Sequence, residues 1–234
     1  MKAYFLTGTD TGIGKTTVAC ALLARARQQG LSSLGLKPVA SGCESTPDGL
    51  RNSDALLLQA ASSIALSYPE VNPVALAEPL SPHLAARAAG RRLSIMQLTG
   101  HVRAGLSHRP DLAIVEGAGG WRVPISDREM LSSLPKELRL PVIMVVGLRL
   151  GCLNHAVLTA EAILRDGLRL AGWVANRVDP DMVETEGNLN TLRNMLPAPC
   201  LGVLPYRPGG AADEMAEYLD ISTLLPPAPG AAAP

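Results

Sequence analysis

Ten residues near the N-terminus constrain this chain more than any others: Gly8-Thr9-Asp10-Thr11-Gly12-Ile13-Gly14-Lys15-Thr16-Thr17. They follow a short apolar run, Ala3-Tyr4-Phe5-Leu6-Thr7, and precede an Ala- and Leu-rich run from Val18 to Ala26. Strand, glycine-rich turn and helix in that order place backbone N–H groups and a helix N-terminus where they cradle phosphates. In such a loop Lys15 reaches the outer phosphates and the Thr16 hydroxyl sits on a magnesium ion. One detail departs from the usual G-x4-G-K-[ST] spacing: five residues, not four, separate Gly8 from Gly14.

The rest of the chain repeats the strand–helix alternation. Leu34–Lys37 reads as a second strand, and Pro38 forces Lys37 into an extended conformation at its C-terminal end. Ser41–Gly49 reads as a polar loop. Asn52 or Ser53 caps a helix that carries Asp54 in its first turn. The four prolines of Tyr68–Pro82 predict irregular structure, and Ser81-Pro82 starts a short helix. A helix over Ser94–Ser107 precedes the strand Asp111–Glu116, which ends in an acid. Further strands are expected at Pro141–Val146, Leu170–Asn176 and Cys200–Leu204. Helices are expected at Asn154–Arg165, around Glu184–Met195 and at Glu214–Leu225.

This pattern predicts an α/β fold: one domain over residues 1–225, with a mainly parallel sheet, helices on both faces and a phosphate-loop NTPase-like order. A Pro- and Ala-rich tail at 226–234 is expected to be disordered.

Composition narrows the function. Acids and bases balance at 21 each, so neither a nucleic-acid partner nor a membrane surface is indicated. Only seven residues are aromatic, so the core must be built of Ala, Leu, Val and Ile. Cys20, Cys43, Cys152 and Cys200 form no C-x-x-C pair, which fits a reducing cytoplasm better than a disulfide framework. The N-terminus enters a strand without signal-peptide regions, and no apolar stretch is long enough to span a bilayer.

In a parallel sheet the strand ends converge, and ligands bind beyond them. Gly8–Thr16, Lys37, Ser41 and Glu116 then share one edge. Glu116 is placed where the acidic metal partner of a phosphate loop usually stands, and Asp54 is a second candidate. Two lysines near a triphosphate, Lys15 and Lys37, stabilise charge that grows on transferring oxygens. The residues alone indicate a magnesium- and nucleotide-dependent enzyme or switch, with a second anion-binding corner at Lys37 and Ser41.

Several segments taken together resemble the dethiobiotin synthetase family. They are Gly8-Thr9-Asp10-Thr11 with Gly14-Lys15-Thr16, Lys37-Pro38-Val39-Ala40-Ser41-Gly42, Asn52-Ser53-Asp54, Val71-Asn72-Pro73 and Ser81-Pro82-His83. Val115-Glu116-Gly117-Ala118-Gly119-Gly120-Trp121, Gly151-Cys152-Leu153-Asn154-His155-Ala156 and Gly172-Trp173-Val174-Ala175-Asn176 continue the match in order.

The resemblance implies an enzyme of biotin biosynthesis that converts 7,8-diaminononanoate, CO2 and ATP into dethiobiotin, ADP and phosphate. It implies catalysis by Lys37 and Lys15, and diamine or carbamate contacts from Thr11, Lys37 and Ser41. Thr16, Asp54 and Glu116 would hold Mg2+. Gly12, Ile13, Gly14, Lys15, Thr16, Thr17, Asp54, Glu116, Gly117, Ala118, Gly119, Asn176, Arg177, Pro205, Tyr206 and Arg207 would contact nucleotide. Family members are homodimers with the site at the interface, where the partner's Gly151, Cys152, Leu153 and Asn154 segment would hold the substrate carboxylate at a helix N-terminus.

Gly12 stands where the family commonly has Glu, and Arg177 where an Asp is common. Tyr206-Arg207-Pro208-Gly209-Gly210 is an unusual late loop. These departures bear on nucleotide selectivity, with Arg177 and Arg207 adding charge at the base end. The competing reading is an ATPase switch of the partition or septum-site type. Such switches usually carry an additional lysine early in the loop, where this chain has Thr9, Asp10 and Thr11. A third reading, a homologue that binds nucleotide without turnover, is opposed by Lys15, Thr16, Lys37, Asp54 and Glu116 all being present.

Overall fold

Leu112–Glu116 and Val142–Leu148 are buried at every position. A strand buried on both faces belongs inside a parallel sheet covered on both sides. In the computed structural model, which describes residues 1–225, six strands form that sheet. They are β1 (Lys2–Gly8), β2 (Ser33–Leu36), β7 (Leu112–Glu116), β8 (Val142–Leu148), β9 (Leu170–Arg177) and β10 (Cys200–Leu204), in the order β10-β9-β8-β1-β7-β2. Every pairing is parallel. β1 lies between two strands that come much later in the chain, so its C-terminal end opens at the sheet's central switch point, where ligands of such folds bind.

Between β2 and β7 the chain forms the two-residue strand β3 (Val39–Ala40), the hairpin β4 (Glu44–Thr46) and β5 (Gly49–Arg51), and β6 (Val74–Ala75). The helices are α1 (Lys15–Gln28), α2 (Ser53–Ala61), α3 (Tyr68–Val71), α4 (Pro82–Ala88), α5 (Ile95–Leu106), α6 (Ser133–Leu138), α7 (Cys152–Arg165), α8 (Thr185–Met195) and α9 (Ala212–Ala216). α1 packs against α2 and α9, α7 against α8, and α5 against α3 and α6. Among the described residues no helix is long and apolar enough to cross a membrane.

Local chemistry explains most starts and stops. Asn52 accepts the Ala55 N–H at the start of α2, and Ser94 accepts the Gln97 N–H at the start of α5. Pro82 occupies the first turn of α4. The small aromatic complement sits deep: Trp173, Tyr4 and Phe5 are fully buried, and Phe5 meets Trp121 edge to face at 6.1 Å.

Four segments depart from expectation. Tyr68–Pro82 is not wholly irregular. Pro69 suits the first turn of α3, and Glu70 reaches back to the Ser67 N–H at 2.8 Å. Val74 and Ala75 then pair with Val39 and Ala40. The loop Ser41–Gly49 contains most of an antiparallel hairpin. α6 was not signalled by the sequence, because it is short and carries Pro135. The last helix ends at Ala216 rather than Leu225. Leu219 bridges to Gly202, and the Asp220 N–H bonds to the Leu201 carbonyl, so the chain returns to the sheet edge. The expected disordered tail, 226–234, lies outside the described residues.

Candidate active site

Register alone brings the first charged pair together. Leu36 of β2 lies opposite Val115 of β7, so the next residues on each strand, Lys37 and Glu116, adjoin at the sheet's C-terminal edge. The Lys37 ammonium donates to Glu116 Oε1 at 2.6 Å, to Asp54 Oδ2 at 3.1 Å and to the Gly117 carbonyl at 3.2 Å. These three acceptors match its three protons. Lys37 is 4% exposed and Glu116 1%. Burial pushes the Lys37 ammonium toward deprotonation, but the Glu116 and Asp54 carboxylates outweigh it and hold the pKa above the ordinary lysine value. Lys37 is therefore a fixed cation rather than a base.

α1 supplies the opposite wall. Thr16 Oγ1 donates to the same Glu116 Oε1 at 2.9 Å. Lys15 is buried, and its ammonium bonds to the Asp10 carbonyl at 2.9 Å. Burial and the neighbouring Lys37 charge lower its pKa to about 8, against opposing pulls from Glu116, Asp54 and Asp10. Bound phosphate would favour the charged form again.

Gly14 turns into the helix at φ 82, a conformation that favours glycine. A Cβ there would lie 2.2 Å from Asn176 Nδ2, which donates to the Ile13 carbonyl at 2.8 Å. The extra loop residue relative to the common spacing is thus accommodated with β9 clamping the loop from the side.

Between these walls lies a cleft of about 470 Å³. It is lined by Thr11, Gly12, Gly14, Lys15, Thr16 and Thr17 from the loop, and by Lys37, Ser41, Asp54, Glu116, Ala118 and Gly119 opposite. The strand-end residues singled out in the sequence therefore share one cavity. A second cavity, about 490 Å³, adjoins it between α1, α2 and the chain before α9, and Thr16, Thr17 and Arg207 line it. Arg207 is paired there with Glu214 at 2.9 Å. A further cavity of about 540 Å³ lies between His83–Leu93 and Ile125–Arg128 and contains none of these residues.

Gly151, Cys152, Leu153 and Asn154 do not line the cleft of their own chain. They open α7 after Gly151 at φ 93, beside Leu150, which is 96% exposed. Arg177 and Pro205–Tyr206 also lie outside the cleft lining, and Arg177 Nε is buried without a hydrogen-bond partner.

The sequence reading did not single out the group that holds Lys37 from behind. Asn72 Nδ2 donates to the Lys37 carbonyl at 2.7 Å. Tyr68 Oη donates to Asn72 Oδ1 at 2.9 Å and accepts the Asn52 N–H at 2.7 Å. Asn52 caps the helix that carries Asp54. One buried chain of polar groups thus positions both partners of the Lys37–Asp54 pair. In the sequence Asn72 stands out only within the Val71-Asn72-Pro73 segment of the family resemblance, and nothing local assigns it this bond.

The donor set suits a hard cation: a threonine hydroxyl and two carboxylates, with Glu116 Oε2 buried and without a partner.

Comparison with known proteins agrees with this geometry. A family model described as an AAA domain matches residues 2–212. The ATP-dependent dethiobiotin synthetase BioD of Pseudomonas aeruginosa (strain UCBPP-PA14) is 57% identical over 224 residues, 96% of this chain and 98% of that protein. The protein of the same name from Cellvibrio japonicus (strain Ueda107) is 55% identical over the same shares. The chain belongs to the dethiobiotin synthetase family.

Among solved structures, the MinD cell division protein of Aquifex aeolicus matches with a TM-score of 0.58 at 16% identity, covering 96% of this chain and 95% of that one. That likeness shows the fold alone. The dethiobiotin synthetase relatives, more than half identical across nearly the whole chain, separate this protein from the cell division protein with which it shares that fold.

Proposed function

We propose that the protein closes the ureido ring of dethiobiotin from 7,8-diaminononanoate, CO2 and ATP, releasing ADP and phosphate. The observation that carries this reading is Lys37. It is a buried ammonium, held by Glu116, across one cleft from the phosphate-loop Lys15, with Thr11 and Ser41 at the same opening. Two cations facing one cleft suit a reaction that gathers a triphosphate and a carbamate, both anionic.

One amine of the diamine adds to CO2, losing a proton to give a carbamate. A carbamate oxygen attacks the γ-phosphorus and ADP leaves, forming a carbamic–phosphoric anhydride. The second amine attacks the carbonyl carbon and expels phosphate, closing the ring. Lys15 and the loop N–H groups bind the phosphates. Lys37, held by Glu116 and Asp54, supplies positive charge to the oxygens that transfer. Thr11 and Ser41 orient the diamine or its carbamate. With little covalent work for the protein to do, positioning and charge supply most of the acceleration.

Thr16, Asp54 and Glu116 would hold Mg2+, which when bound neutralises charge on the triphosphate. Asn176 and the Pro205–Arg207 segment would flank the nucleoside. The exposed residues Leu150 and Gly151 before α7 fit a homodimer in which each chain completes its partner's site at the substrate carboxylate.

The test is product formation by purified protein, followed by mass detection of dethiobiotin, with ATP compared against the other nucleoside triphosphates. Nucleotide cleavage should require both the diamine and bicarbonate. Equal ATP hydrolysis without the diamine would overturn the reading.

A further inference from the structure

Asp10 is the residue on which the phosphate loop turns, and nothing in the reaction itself requires its carboxylate. Its backbone carbonyl holds the Lys15 ammonium at 2.9 Å. Its Oδ1 accepts the Thr11 N–H at 2.7 Å. Its Oδ2 is engaged by Arg149 Nη2, 139 residues away, in an ion pair. The peptide between Asp10 and Thr11 is thus fixed from both sides, together with the side chains that leave it.

Arg149 belongs to the turn that follows β8. Its own carbonyl accepts the Cys152 N–H at 3.0 Å, which sets the first turn of α7. One guanidinium therefore ties the phosphate loop to the start of α7. That helix start, Gly151–Asn154, is where the proposed function places the carboxylate of the substrate bound in the partner's site.

We propose that Arg149 is a positioning residue for the reaction. Through Asp10 it sets Lys15 and Thr11 of its own site, and through its own turn it sets the carboxylate subsite of the partner's site. Nucleotide in one site and diamine in the other then each strengthen binding of the other. The carboxylate half of this inference rests on the proposed function, whereas the phosphate-loop half stands on the ion pair alone. Such a coupling is reciprocal: each ligand tightens the other by the same factor.

The experiment is calorimetric titration of the dimer with a non-hydrolysable ATP analogue and Mg2+, with and without the diamine. It compares wild type with Arg149→Ala, Arg149→Lys and Arg149→Glu. For a solvent-accessible pair, Arg149→Ala should weaken analogue binding by about two- to fivefold. Arg149→Lys should restore it, and Arg149→Glu, a like charge against Asp10, should weaken it further. The analogue should tighten diamine binding in wild type, and that factor should fall to about one in Arg149→Ala, a change that loss of a merely structural contact would not produce.

Asp10→Asn keeps an acceptor for Thr11 and loses the charge, so adding it to Arg149→Ala should cost little more than either change alone. Wild-type analogue affinity in Arg149→Glu overturns the loop-positioning role. An unchanged coupling factor in Arg149→Ala, or no coupling in wild type, overturns the link to α7. If wild type binds the analogue but never the diamine, the substrate reading fails, and the analogue arm still decides the role of Arg149 at the loop.

Discussion

Lys37 and Glu116 meet at 2.6 Å with both side chains almost wholly buried. Removing one partner of a buried pair leaves the other charge unpaired in a poor solvent, which costs about 3–5 kcal/mol. Lys37→Ala should keep the fold and lose turnover. The geometry adds a stability loss of about that size, partly relieved by the exposed edge at Asp54. Denaturant unfolding and turnover of the same variant check both. Turnover should fall by about two orders of magnitude or more, as when one oxyanion-stabilising group is removed. A variant as stable and as active as wild type would remove the pair from fold and mechanism alike.

The hydroxyl of Thr16 shares Glu116 Oε1 with Lys37. Thr16→Val keeps the shape, removes the donor and takes away one of three proposed oxygen ligands. The Mg2+ concentration giving half-maximal activity should rise on the order of tenfold or more, with the melting temperature close to wild type. A titration of activity against Mg2+ at fixed ATP decides it. Unchanged Mg2+ dependence would exclude Thr16 as a ligand.

The site was legible wherever its placement followed from local chemistry. The apolar runs ending in Gly8 and Glu116, and Pro38 after Lys37, announce strand ends, and parallel strands put such ends together. What stayed hidden depends on residues far apart in the chain. The order β10-β9-β8-β1-β7-β2, the pairing of Val39 with Val74, the Asn72 bond to the Lys37 carbonyl and the Asp10–Arg149 pair have no local signature. The last helix illustrates the reverse error. Its periodicity extended past Ala216, but the open edge of β10 offered Tyr218–Asp220 backbone partners that a helix could not.

Gly14 makes a sharper test of the phosphate loop than the lysines do. A Cβ at this position would meet Asn176 Nδ2 at 2.2 Å, and φ 82 strains any L side chain. Gly14→Ala should displace the amide from the Ile13 carbonyl and open the loop. Nucleotide binding should fall by about five- to a hundredfold, from backbone strain on the order of 1–3 kcal/mol. Asn176→Ala, which loses one hydrogen bond and relieves no strain, should cost about 1 kcal/mol of stability and a smaller share of affinity. Equal nucleotide affinities for wild type and Gly14→Ala, measured by calorimetry, would show that the loop adopts another conformation when occupied.

Asp166 supplies the pH-dependent contribution to stability. It closes α7 and receives the Trp121 indole N–H at 2.9 Å and two Arg122 N–H groups at 2.6 and 3.1 Å, with Lys136 at 3.7 Å. Burial alone would raise its pKa, but the Arg122 and Trp121 hydrogen bonds and the Arg122 and Lys136 charges outweigh that and hold the carboxyl below the usual aspartate range. A carboxylate depressed on folding contributes stability that is fully present above its unfolded pKa of about 3.9 and disappears as pH falls through its lower folded value. The contribution therefore begins to be lost as pH falls toward about 4 and is gone only below the lower folded value. It is anchored in the loop that runs on from Glu116 to Trp121, so its loss frees one side of the cleft. Asp166→Asn should be less stable than wild type at neutral pH by about 1–3 kcal/mol, the range for hydrogen bonds to a charged group. The two proteins should converge as pH is lowered through the acid range, because protonated Asp166 is then neutral in both. Melting temperatures from neutral pH down to about pH 2.5, taken as wild type minus variant, isolate this group from the other carboxylates. A difference that stays constant across that range would mean that Asp166 is not held as an anion by Arg122 and Trp121.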